Sequence, residues 1–74
     1  MEKTILEIIN NIRAARNKSQ ISELHPDDKL REDLDLTSFD LAELTVNIED
    51  IFGVDVFEDG LVNTVGEIYA KLTK

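Results

Sequence analysis

Near the N-terminus, Ile5, Ile8, Ile9 and Ile12 recur at offsets of three, four and seven residues, which marks one face of an amphipathic helix. The pattern predicts a helix from roughly residue 3 to residue 16, ending near Asn17. Residues 18–37 are mostly polar and contain the single proline, Pro26. A loop of that length is uncommon in a small domain unless side chains tie it down. Ile21, Leu24, Leu30, Leu34 and Leu36 are spaced through it and can pin it to a helical core. A long ordered loop between the first two helices is therefore expected, with a short helical turn near Asp27–Arg31.

The second helix has the clearest signal. Leu41, Leu44, Ile48, Ile51 and Phe52 fall within about 100° of arc and predict its buried side. Thr37 and Ser38 are good N-cap types, Asp40 suits the first turn, and Gly53 stands where a helix C-terminus favours glycine. Val54-Asp55-Val56 alternates like a strand but has no partner to pair with, and residues 57–62 predict a short turn or helix loosened by Gly60. Thr64-Val65-Gly66-Glu67 is a capping-box pattern opening a last helix, with Val65, Ile68 and Leu72 inward and Gly66 weakening it slightly. The pattern predicts an all-α fold of three main helices plus one short one, in a single domain spanning residues 1–74.

Composition narrows what such a domain can do. The chain has 74 residues, no cysteine, one histidine and a formal net charge of −8. A chain this short buries only about 60% of its unfolded surface, which argues against a deep catalytic cleft. Without cysteine there are no disulfides, thiolate nucleophiles or thiolate metal sites. The acidity argues against nucleic acid and against anionic membranes, both of which call for clustered Lys and Arg. It is also uneven: residues 27–60 hold twelve acids against only Lys29 and Arg31, while both flanks are slightly basic. Partners should therefore be basic. No basic-then-apolar leader opens the chain and no apolar run exceeds three residues, so a cytoplasmic protein is expected.

Candidate chemistry is sparse. Asp33-Leu34-Asp35-Leu36-Thr37 starts like a calcium loop, but Ser38 stands where glycine is needed and Leu44 where a bidentate glutamate is needed. Ser38 as a hydrolytic nucleophile would have only His25 as a base, and that residue sits in a polar loop. No residue set reads as catalytic, and no metal site is expected. The second helix says more on its other faces. Asp40, Glu43, Asn47 and Asp50 form a mainly acidic stripe within about 80° of arc. Beside it Phe39, Ala42 and Val46 form a second apolar stripe, which either widens the buried side or stands exposed as part of a docking surface.

Asp33-Leu34-Asp35-Leu36-Thr37-Ser38-Phe39-Asp40-Leu41-Ala42-Glu43-Leu44, followed by Ile48-Glu49-Asp50-Ile51-Phe52-Gly53, resembles the acyl carrier protein family. In that family an Asp-Leu, two spacers and Asp-Ser-Leu lead into a helix ending in an acidic pair and Phe. The resemblance runs from the Ile-rich first helix to Thr64-Val65. It implies a four-helix bundle that is not itself an enzyme, with 4′-phosphopantetheine attached to the serine matched by Ser38. It further implies that acyl groups ride as thioesters on the arm, in fatty acid biosynthesis or other lipid metabolism. The implied partners are a phosphopantetheinyl transferase and acyl-handling enzymes with basic surfaces, meeting a monomer. The residues matching the family's partner-recognition positions are Phe39, Asp40, Ala42, Glu43, Val46, Glu49 and Asp50.

The match is not uniform. Thr37 stands where fatty-acid carriers usually have Asp, Phe39 where they have Leu or Met, and the stretch from Val56 to Val65 is about two residues short. These departures point to a specialised carrier for a particular lipid, polyketide-like or aminoacyl pathway. Ser38 makes physical sense in that role. A phosphodiester formed at a helix N-terminus sits where free N–H groups and the helix dipole favour negative charge. The alternative from a different class is an acidic helical adaptor of the same fold, binding basic partners with no prosthetic group.

Overall fold

In the computed structural model, which describes residues 1–58, 60 and 62–73, the chain forms three helices. They are α1 (Glu2–Ala14), α2 (Ser38–Phe52) and α3 (Val65–Leu72). The molecule measures 32 × 21 × 20 Å. Helix α1 buries the four isoleucines of its predicted face, Ile5, Ile8, Ile9 and Ile12. It stops when Asn17 turns left-handed at φ 60, and the Lys18 N–H bonds the Arg13 carbonyl while the Asn17 N–H bonds the Ala14 carbonyl. That pairing closes the last carbonyls of the helix.

The loop from 18 to 37 is pinned as expected. Leu30, Leu34 and Leu36 are buried, and Ile21 and Leu24 pack on the core at its edge. Burying each such side chain contributes about 1.5–3 kcal/mol, against the entropy of ordering the loop. Polar ties finish the job: the Asn10 side chain both donates to the Ile21 carbonyl and accepts its N–H, at 3.0 and 2.8 Å. No helix forms near Asp27–Arg31; turns stand at 26–27 and 30–33 instead. Asp28 and Asp33 accept the backbone N–H groups of His25 and Lys29, holding these turns in place of a helix.

The loop also docks on α3. Lys29 and Thr64 form an isolated antiparallel bridge, the Leu30 N–H bonds the Asn63 carbonyl, and the Val65 N–H bonds the Asp28 carbonyl. Thr64 and Glu67 make the predicted capping box. Gly66 has a reason the sequence did not reveal. Its N–H bonds the Pro26 carbonyl at 2.9 Å, and a Cβ there would stand only 3.0 Å from that same oxygen.

Two expectations change. On α2 the buried residues are Leu44, Ile48 and Asp40, while Leu41 and Phe52 are half-buried and Ile51 is 57% exposed. Ile51 points to the core side by helical angle, but it lies in the last turn of α2, where the described residues leave more than half of it exposed. The short turn or helix expected at 57–62 is a turn, at 56–58, where described, so the fourth, short helix does not appear among the described residues; Asp59 and Leu61 lie outside them. There the Asp55 carboxylate accepts the Phe57 N–H at 3.0 Å, a local bond that competes with helix, and Gly60 sits at φ 129. Among the described residues there is no strand, and no helix is long and apolar enough to cross a membrane.

Candidate functional site: the N-terminus of the second helix

Ser38 is the first residue of α2 and is exposed. Its place is set by the residues on either side. Thr37, extended at φ −88 and ψ 174, caps the helix; its Oγ1 accepts the Asp40 N–H at 3.2 Å. Asp40 returns the bond, its Oδ2 accepting the Thr37 N–H at 2.9 Å. The Leu41 N–H bonds the Thr37 carbonyl, so the N–H groups of Ser38 and Phe39 are left at the positive end of the helix.

The segment before the serine is clamped by the end of α1 and the turn that follows it. Arg13 donates to the Leu34 carbonyl at 2.6 Å and to the Ser19 carbonyl at 3.1 Å. Arg16 donates to the Asp35 carbonyl at 3.1 Å and pairs with Asp40 at 2.5 Å. Lys18 pairs with Asp35, which sits at left-handed φ 56. The hydrogen bond from Lys18, and then its charge, hold the exposed Asp35 carboxyl below the ordinary aspartate value.

Ser38 lines a cleft of about 510 Å³, within the range of small-molecule sites. One wall is apolar, from Leu41, Ala42, Phe57 and Val62. The polar lining is Arg31, Thr45, Asp55 and Asn63. Thr45 donates its hydroxyl to the Leu41 carbonyl and Asp55 accepts the Phe57 N–H, so both are already engaged within the chain.

The residues matched to partner recognition divide. Phe39 is 86% exposed and Val46 62%, and Ala42, Glu43, Glu49 and Asp50 are exposed around them. The apolar stripe therefore stands outside the core. Asp40 does not share that surface: it is 6% exposed and committed to the cap and to Arg16. A Thr-x-x-Asp spacing was readable as a capping pair, but Arg16 lies 24 residues away and left no local signal. The cleft lining, Arg31, Thr45 and Asp55 among it, comes from three distant segments, and periodicity could not find it.

The family described as "Phosphopantetheine attachment site" matches residues 7–72. The chain belongs to this family. It is also 40% identical over 52 residues to an acyl carrier protein of Rubrobacter xylanophilus, an alignment covering 70% of this chain and 64% of that relative. The chain thus spans under two thirds of the relative's length. No solved structure matches. Membership means a carrier protein with a covalent 4′-phosphopantetheine. The residues at the start of α2 suit that group: an exposed hydroxyl, the N–H groups of Ser38 and Phe39 at the helix start, and an adjoining cleft lined in part by Arg31.

Proposed function

We propose that Ser38 is the attachment position and that this single carrier domain presents acyl intermediates to biosynthetic enzymes. The supporting observation is the exposed Ser38 hydroxyl at the first position of α2, on the lip of an apolar-walled cleft. The prosthetic group supplies a terminal thiol that holds acyl groups as thioesters, which a chain without cysteine cannot provide. Thr37, Asp40 and Arg16 fix the helix start, so the arm leaves from a rigid point. Leu41, Ala42, Phe57 and Val62 offer apolar surface to a short acyl chain folded back from it. The chain is a carrier and not an enzyme, working as a monomer in the cytoplasm.

Loading and delivery run over the exposed side of α2. Glu43, Glu49 and Asp50 face basic surfaces on a phosphopantetheinyl transferase and on acyl-handling enzymes, with Phe39, Ala42 and Val46 filling an apolar groove beside them. Asp40 is left out of this surface because its carboxylate is buried and paired. The deciding experiment is intact mass after co-expression with a phosphopantetheinyl transferase. An increment of one phosphopantetheine, lost in Ser38→Ala, is expected. No increment with any transferase would leave the acidic adaptor as the better reading.

A further inference from the structure

Arg31 is an exposed cation lining the cleft beside the start of α2. Among the described residues it makes no hydrogen bond and no ion pair, whereas Arg13, Arg16 and Lys18 are all engaged. Residues 27–60 hold twelve acids and only Lys29 besides as a cation, and the Lys29 side chain likewise makes no bond among the described residues. Asp55 lines the same cleft, but its carboxylate accepts the Phe57 N–H and forms no pair with Arg31. Set beside an apolar wall and facing the same space as the Asp55 carboxylate, the exposed guanidinium of Arg31 is the positive group among the described lining residues. Its fork of donors suits a phosphate better than an ammonium would.

Ser38 lines that same cleft. A phosphodiester on its Oγ adds another negative charge to the most acidic part of the chain. Lys29 lies off to one side, lining a smaller hollow with Arg31, Glu32 and Asn63. We propose that Arg31 is the anion-binding side chain of this cleft, taking the phosphodiester carried by Ser38 and holding the root of the arm over the cleft. The inference rests on Ser38 being the attachment position. Arg31 then does two things. It offsets the charge added by loading, and it aims the arm along Leu41 and Phe57 and away from solvent.

The test uses loaded full-length protein, with intact mass first confirming loading of the wild type, Arg31→Gln and Lys29→Gln. A wild type that never loads counts against the attachment reading itself, and not against Arg31. On the loaded proteins, phosphorus NMR of the phosphodiester is followed from low to high salt, and melting temperatures of apo and loaded forms are compared. The wild-type resonance should move with salt as the ion pair is screened. Arg31→Gln should start at the high-salt position and stay there, and should lose more melting temperature on loading than the wild type does. Lys29→Gln should behave as wild type in both. If Arg31→Gln keeps the wild-type resonance and the wild-type loading shift, Arg31 does not touch the arm and the proposal fails. A slower loading rate with unchanged signals in the loaded protein would place Arg31 on the transferase interface, which also overturns it.

Discussion

Arg16, just past α1, and Asp40, in the first turn of α2, meet at 2.5 Å across 24 residues of sequence. The same carboxylate oxygen accepts the Thr37 N–H, so one atom joins two helices and caps one of them. Asp40 was expected on the docking stripe and serves the fold instead. Asp40→Ala should cost about 2–3 kcal/mol, combining a lost cap of about 1 kcal/mol with a part-buried pair. Arg16 is about one-third exposed, which weakens its share, so Arg16→Met should cost about 1 kcal/mol. Glu43→Gln, on the exposed face, should stay within about 0.5 kcal/mol. Urea melts of the three variants measure this, and an Asp40→Ala as mild as Glu43→Gln would contradict the assigned role.

Gly66→Ala gives a second test, because two effects oppose each other. Alanine favours a helix interior by up to about 1 kcal/mol over glycine. The added Cβ would stand 3.0 Å from the Pro26 carbonyl oxygen and 3.3 Å from the Pro26 Cβ. That carbonyl cannot retreat freely, since it accepts the Gly66 N–H at 2.9 Å and the neighbouring Asp28 carbonyl accepts from Val65. The variant should melt lower than wild type. A higher melting temperature would mean that the 26–28 turn yields at little cost.

What the sequence made legible follows from the range of each signal. Periodicity and cap residues read one element at a time: the first found the inner face of α1, and the second the start and end of α2 and the Thr64–Glu67 cap. Leucine spacing was enough to foresee an ordered loop, because Leu30, Leu34 and Leu36 had nowhere else to be buried. Helical angle misplaced Ile51, since it describes a direction and not whether a neighbour reaches that far along the helix. It also assigned Asp40 to the surface, because a charged side chain is buried only when a partner is present and Arg16 was out of local range. Ser38 was found from its flanking residues, and the cleft it lines needed the fold.

Tyr69 sets up a pH prediction. Its hydroxyl is buried with no hydrogen-bond partner among the described residues. Burial pushes its pKa above 10.0, and the charges of Glu2 and Asp28 push the same way. Folding therefore favours the protonated phenol: its contribution is intact below pH 10.0 and is lost as pH rises through the higher folded value. Tyr69→Phe removes both the orphaned group and the titration. It should stabilise by about 1 kcal/mol at neutral pH. It should also soften the alkaline fall in urea midpoint. A variant less stable than wild type at neutral pH would show that the hydroxyl has a partner.

The docking face can be separated from bulk charge. Each exposed ion pair contributes only about 0.2–1 kcal/mol, so a single neutralisation of Glu43, Glu49 or Asp50 should weaken encounter modestly and in a salt-dependent way. Glu43→Lys with Asp50→Lys replaces attraction by repulsion at two points beside the exposed Phe39 and Val46. Glu2→Lys with Glu7→Lys makes the same net change on exposed positions of α1, away from that face. The measurement is the rate of phosphopantetheine transfer to Ser38 at low and high salt, with both double variants confirmed folded by their melts. The α2 pair should slow loading at least tenfold at low salt, the effect of about 1.4 kcal/mol, and lose part of that difference at high salt. The α1 pair should load within about twofold of wild type, since charge outside the contact contributes little once screened. Phe39→Ala should slow loading at both salt concentrations, because burial of an aromatic ring is not screened. Equal losses in the two double variants would mean that net charge alone governs recognition, and the face assigned to α2 would be wrong.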